Sequence, residues 1–212
     1  LVVVILSMLM TPPVAKLANR LALVVKTGTA VTWSVGEDDD EPTILLAGFG
    51  GVGRRVGQIL ETRGIRYAAV ENNAALVQRE RQLGRKLFYG DARQLDVLRS
   101  MGAAEARLVI ITVDDFRANE EVVETLRTSF PDLKIIVRGH DLEHCIRLTE
   151  RGAGLTVSEN LEASIALAQE ALVIAGEGRA EIDDAVDRFR QEYYRFAEKT
   201  PHGGPADKAE EP

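Results

Sequence analysis

From residue 43 onward, short apolar runs alternate six times with stretches whose apolar residues recur at helical spacing. The runs predict strands over 43–47, 65–70, 86–89, 107–112, 134–138 and 155–157. The stretches between them predict helices. The first carries Val52, Val56, Ile59 and Leu60 on one face and stops at Gly64, and the second runs from Asn73 to Gly84. The third holds Leu95, Leu98 and Met101 ahead of Gly102. The fourth starts after Asp114 and Asp115 and ends at Pro131, and the fifth is capped by Asp141 and closed by Gly152. Strand-helix alternation with connections of a few residues predicts an α/β fold: a doubly wound, parallel, six-stranded Rossmann-like sheet over 43–157.

The flanks follow other patterns. Residues 158–198 predict a helical extension, an Ala-rich helix over 161–175 and, after the Gly176-Glu177-Gly178 break, a charged helix. Its stripe of Ile182, Val186, Phe189, Tyr193 and Phe196 needs a partner. The end, 199–212, has the composition of a disordered tail. At the other end, "LVVVILSMLM" is about half the length of a membrane span. A signal peptide would need a basic start and small residues where Pro12 and Pro13 stand, and a buried amphipathic helix is the other alternative. Lys16, Arg20 and Lys26 favour reading residues 1–26 as the end of a last transmembrane helix with its juxtamembrane segment, because positive charge beyond a span marks the cytoplasmic side. Residues 27–42, ending in "GEDDDEP", read as an acidic linker.

Composition narrows the functional classes. The chain has 212 residues and is 45% hydrophobic, enough for a real core. Its net charge of -7 argues against a nucleic-acid partner, which requires a basic face. The single cysteine, Cys145, excludes an intramolecular disulfide.

The densest chemical signal is "LLAGFGGVGRRVGQ" at 45–58. Gly48, Phe49, Gly50, Gly51, Val52 and Gly53 spell G-x-G-x-x-G between a predicted strand and a predicted helix. The first glycine permits the tight turn, the second lets backbone approach a phosphate, and the third lets helix press on strand. A phosphate then meets the free N–H groups and positive dipole end of the helix. Glu71, at the end of the second strand, supplies the carboxylate expected on the ribose hydroxyls. That acid would repel a 2'-phosphate, so AMP or NAD(H) is favoured and NADP is disfavoured. Asp91 and Thr112 fall on the same carboxyl edge. Asp91 is placed to accept from an adenine amino group or to cap the third helix, and Asp114 and Asp115 read as helix caps.

No catalytic set accompanies the loop. Tyr194 and Lys199 miss a Tyr-x-x-x-Lys spacing by one residue, and no nucleophile-base pair stands out. His140, His144 and Cys145 lie within a helical turn but lack a second ligand cluster, so no metal is expected. Binding without turnover is the simpler account. The competing class is a soluble NAD-dependent oxidoreductase, which would need a substrate pocket beside the nicotinamide.

"GFGGVGRRVGQIL", "KLFYGDARQLDVLRSMGA", "RLVIITVDD" and "KIIVRGHDLEH" together resemble the RCK, or TrkA-N, regulatory domain, in the version at the C-terminus of Kef-type glutathione-gated potassium efflux antiporters. Both flanks match that pattern too. The resemblance implies a homodimeric module on the cytoplasmic face of the inner membrane, attached to a transmembrane domain that exchanges K+ for H+. It implies an adenine nucleotide in the glycine cleft and glutathione or its conjugates near the subunit interface. Carried over, Gly48, Gly50, Gly51 and Gly53 line the phosphate, Glu71 the ribose, Asp91 and Ala92 the adenine, and Thr112 the neighbouring edge. Arg138 is the candidate for a charged regulatory ligand or interface contact, or else an exposed strand-end arginine. The family often has Arg where this chain has Gly51, a departure that favours a monophosphate over a diphosphate unless Arg54 or Arg55 substitutes. RCK modules of potassium channels and Trk-type uptake systems usually add a second βαββ lobe, and residues 158–212 show no strand pattern for one.

Overall fold

A computed structural model of the chain describes residues 44–199, with side chains to residue 195. The expectations for 1–42, for the tail from 200 and for the Phe196 side chain lie outside the described residues. The six strands are β1 (Ile44–Ala47), β2 (Tyr67–Glu71), β3 (Leu87–Tyr89), β4 (Leu108–Ile111), β5 (Lys134–Gly139) and β6 (Leu155–Ser158). All neighbours pair in parallel, in the order β3-β2-β1-β4-β5-β6. The order reverses between β1 and β4, which opens a crevice at the carboxyl ends of those two strands.

Helices α1 (Gly51–Thr62), α2 (Ala74–Gln82), α3 (Leu95–Ser100), α4 (Phe116–Ser129) and α5 (Leu142–Glu150) make the crossovers. Alternate strand residues feed two cores, as the period of two dictates. Leu46, Phe49, Ala69 and Leu87 pack with Val56, Leu60 and Val77 beneath α1 and α2. Leu45, Val70, Val109 and Val137 pack with Leu98, Leu126 and Leu148 beneath α3, α4 and α5.

The caps follow their residues. Asn73 accepts from the Leu76 N–H, Asp115 from Ala118 and Asp141 from His144, and Gly64, Gly84, Gly102 and Gly152 turn the chain with positive φ. Two expectations change. Ile65 belongs to the turn closing α1, its N–H donating to the Leu60 carbonyl, and is 40% exposed; β2 therefore starts at Tyr67. Ile59 is 64% exposed because α1 is turned to bury Gly53 and Gly57, which leaves Val56 and Leu60, but not Ile59, on the core side.

Helices α6 (Glu159–Ala175) and α7 (Arg179–Lys199) form the extension. Ser158 caps α6, and Gly176, in the left-handed region at φ 91°, ends it. The α7 stripe finds its partner in α6. Ile182 and Val186 are buried against Leu161 and Ile165, and Tyr193 packs beside them. Phe189 stays 55% exposed, and Tyr194, outside the expected stripe, turns inward so that its hydroxyl accepts from the Ser158 N–H at 2.9 Å. Among the described residues, no helix is long and apolar enough to cross a membrane.

Candidate functional site

The crevice at the strand-order reversal is a cleft of about 570 Å³ lined by the loops that follow β1, β2, β3 and β4. The glycine loop forms its inner end. Gly48 has φ 93°, and its amide donates to the Val70 carbonyl at 2.9 Å. A Cβ on Gly48 would stand 2.9 Å from the Val113 nitrogen, so both backbone angle and space demand glycine. Gly53 answers a different need. A Cβ there would fall on the Gly48 carbonyl oxygen and 2.6 Å from Thr112 Oγ1. This is the close helix-to-strand approach that the fingerprint's last glycine allows. Gly51 has open space around it, with nothing within 4 Å of a Cβ.

Gly50 is the N-cap of α1 and supplies no side-chain acceptor, which leaves the first-turn N–H groups of α1 for an anion. Thr112 is buried, and its hydroxyl donates to the Gly48 carbonyl at 2.9 Å. It thus ties the end of β4 to the glycine turn. Glu71 ties the other side. Its Oε2 accepts from the Phe49 N–H at 2.8 Å and its Oε1 from the Asn73 N–H at 2.9 Å. A carboxylate has about four acceptor positions, so two remain for sugar hydroxyls.

Of the residues expected from sequence, Gly48, Gly50, Glu71, Asp91, Ala92 and Thr112 line this one cleft. Phe49, Gly51, Val52, Gly53 and Arg138 are not among its lining residues. The Phe49 ring is fully buried, stacked 6.0 Å from Tyr67, and only its backbone serves the clasp with Glu71. Arg54 lies 3.8 Å from Glu80 on α2, a buried carboxylate also held by Arg79 and Arg85.

Arg138 is neither free nor a simple surface arginine. Only 15% of its side chain is exposed, and it pairs with Asp114 at 2.7 Å and with Glu159, at the start of α6, at 3.4 Å. Asp114 is therefore an ion-pair partner at the rim, whereas Asp115 caps α4 as its position suggested.

Asp91 does not cap α3, whose N-cap is Gln94. Its carboxylate accepts instead from Arg93, both from the backbone N–H at 3.0 Å and from the guanidinium at 2.6 Å. The guanidinium holds the Asp91 carboxyl below the usual carboxylate range. Arg93 and Asn72, which were not singled out in the sequence, line the cleft, as does Asn73, which the sequence marks only as a helix start. The signal was their position, directly after strands two and three in "VENN" and "GDAR".

His140, His144 and Cys145 do not converge. His144 Nδ1 accepts from the His140 N–H, the His144 ring lies 5.0 Å from Phe116, and Cys145 is buried under Gly139. Among the described residues, no three His, Cys, Asp or Glu side chains gather as a metal would require.

A doubly wound sheet with its glycine turn at the switch point and a carboxylate clasp at the next strand defines a Rossmann-type domain with the layout of a nucleotide cleft. More narrowly, the chain belongs to the TrkA-N domain family, which matches residues 44–159. It is 34% identical over 201 residues to the glutathione-regulated potassium-efflux system protein KefC of Salmonella agona, covering 94% of this chain and 32% of that protein. The chain thus spans about a third of the length of the curated relatives it matches. A solved structure of the Kef C-terminal domain from Shewanella denitrificans, in AMP-bound form, superposes with a TM-score of 0.64 at 28% identity, covering 73% of this chain and 97% of that one. The GsuK channel bound to NAD superposes with a TM-score of 0.55 at 27% identity, covering 61% of this chain and 24% of the channel.

Proposed function

We propose that this chain is the adenine-nucleotide-sensing regulatory part of a potassium/proton antiporter, carried on the cytoplasmic face of the inner membrane by a transmembrane domain of the same polypeptide and acting as a homodimer. The observation that carries this reading is the clasp of Glu71 on the glycine loop. It holds the Glu71 carboxylate against the loop that enters α1, the position from which the fingerprint's acid serves a ribose. Of the two solved structures described above, the AMP-bound Kef domain matches the greater share of the chain, 73% against 61%. The likeness to KefC runs over 94% of the chain, whereas the channel's ends at 61%, which favours an antiporter over a channel module.

The mechanism is differential binding. A nucleotide that favours one arrangement of the dimer over another biases the attached pathway, and one that binds both equally regulates nothing. Regulation by glutathione or its conjugates is part of the proposal, with Arg138 as the charged contact. To serve, its guanidinium exchanges Asp114 or Glu159 for the ligand's carboxylate. No turnover is expected on this reading, since among the described residues that line the cleft there is no His, Lys, Tyr, Cys or Ser.

The test is thermal unfolding of the chain with AMP, ADP, NAD, NADH and NADPH. A ligand at a hundred times its Kd adds about 2.7 kcal/mol, which is roughly 5 to 10 °C for a domain of this size. Stabilisation by AMP or NAD(H) is expected. Stabilisation by NADPH alone would contradict the role given to Glu71, and hydride transfer to any substrate would overturn the regulatory reading.

A further inference from the structure

The order of the strands assigns the parts of a nucleotide along the cleft. The glycine loop follows β1, the ribose carboxylate Glu71 closes β2, and the outermost loop, Gly90 to Arg93, follows β3. Two strand spacings put that loop roughly 10 Å from the phosphate end, so it meets the base. The expected contact there is an edge contact, with Asp91 accepting from the base amino group. The structure spends that capacity otherwise. Oδ1 of Asp91 accepts from the Arg93 N–H and from Nε, each at 3.0 Å, and Oδ2 accepts from Nε at 3.0 Å and Nη2 at 2.6 Å. Three N–H groups of Arg93 thus occupy both oxygens, with the Nε–H shared between them, which takes most of the carboxylate's acceptor capacity.

The same contacts define what Arg93 presents. Two of its nitrogens lie on one carboxylate, and Nη1 reaches Glu121 of α4 at 3.4 Å. The guanidinium plane is thus pinned along its edges. Half of the side chain nonetheless remains exposed, at 49%, and it lines the cleft. Among the lining residues Arg93 is the one cation, against the carboxylates Glu71, Asp91, Asp114 and Asp115. A planar cation held by its edges offers its face, and that face stacks on aromatic rings. The aliphatic side chains of Leu76 and Val122 line the same cleft and suit an apolar ring.

We infer that Arg93, held flat by Asp91 and Glu121, is the platform on which a purine base stacks at the outer end of the cleft, so that this end reads the base by its face. The inference rests on the nucleotide reading above. It is tested by calorimetric titration of the full chain and of Arg93→Ala and Arg93→Lys with adenosine, AMP and ribose 5-phosphate, with unfolding followed by circular dichroism.

Arg93→Ala weakens adenosine and AMP alike, by about tenfold, and leaves ribose 5-phosphate unchanged. Arg93→Lys, which keeps the charge and loses the plane, binds AMP as weakly as the alanine variant. Lysine restoring AMP binding would show that charge alone suffices and would overturn the inference. So would an equal loss for ribose 5-phosphate, or unchanged binding in both variants. If Arg93→Ala fails to fold, the lysine variant decides by itself. A wild-type chain that binds neither adenosine nor AMP fails the nucleotide reading first, and the two failures are thereby distinguished.

Discussion

Gly53→Ala and Gly51→Ala change one hydrogen to a methyl two residues apart in the same motif, and the structure predicts opposite outcomes. Both glycines lie in α1 without positive φ, so alanine recovers up to about 1 kcal/mol of helix propensity at each. At Gly51 nothing stands within 4 Å of the added carbon, and that gain survives. At Gly53 the methyl falls on the Gly48 carbonyl oxygen, 2.6 Å from Thr112 Oγ1 and 3.1 Å from the Gly48 carbonyl carbon. Two of those three neighbours are backbone and cannot rotate away. Overpacking of this kind costs about 3 kcal/mol, the upper part of its usual range, so the net loss is about 2 kcal/mol. For a domain of this size that lowers Tm by about 4 to 8 °C, while Gly51→Ala is unchanged or raised by up to about 4 °C. The displaced atoms are the two ends of the Thr112 to Gly48 hydrogen bond, so AMP affinity falls with Gly53→Ala and holds with Gly51→Ala. Calorimetric melting and AMP titration of the three proteins measure both effects. A Gly53→Ala protein melting within about 1 °C of wild type would refute the reasoning, since a 1 kcal/mol change already moves Tm by about 2 °C or more.

Three further outcomes follow from the same geometry. Gly51→Arg fits the open space and adds a cation beside the α1 N-terminus, so ADP affinity should rise more than AMP affinity in direct titration. His144 is buried, and that burial, with the nearby Arg147 guanidinium, pushes its pKa below the ordinary 6.5. Its folded pKa lies below its unfolded one, so its contribution to stability is whole above pH 6.5 and is lost as pH falls toward the lower folded value. Melting curves should show Tm declining below pH 6.5, and the decline should shrink in His144→Asn, whose amide oxygen can still accept from the His140 N–H. The Cys145 thiol is fully buried, and burial raises its pKa to about 11, so a disulfide-exchange reagent at pH 8 should leave it unmodified in the folded chain and titrate it fully in denaturant.

Sheet, crossovers and caps were legible because each rests on local chemistry. Asn73, Asp115 and Asp141 cap helices by hydrogen bonds to residues three positions on, a distance any sequence displays. The glycine loop and Glu71 were legible because the fingerprint encodes both ends of one contact, here the Phe49 N–H and the Glu71 carboxylate. What escaped depends on orientation between distant segments. Ile59 has the right period for the core, yet the rotation of α1 is set by the glycine contacts with Gly48, Thr112 and Tyr67, which no periodicity contains. Arg138 stands in the sequence as a candidate regulatory contact or an exposed strand-end arginine, and its ion pair with Glu159 appears only when α6 comes beside it. Arg93 was hidden for a related reason: its relation to Asp91 is local, but its place in the cleft becomes visible only when β3 is set at the edge of the sheet.

The bare faces of Gly53 and Gly57 have a mechanical consequence. Packed helices slide when a layer of side chains lies between them to deform, and that layer is missing where α1 meets the sheet at Gly53. Helix and sheet there are in contact almost bone on bone, while one turn further on the Phe49 and Tyr67 rings fill the space left by Gly57. The joint is stiff, and β1, α1 and the end of β4 travel as one block. Any swing of this protein must find its pivot elsewhere, and the Gly176 to Gly178 elbow between α6 and α7 is built of the residues that bend most easily.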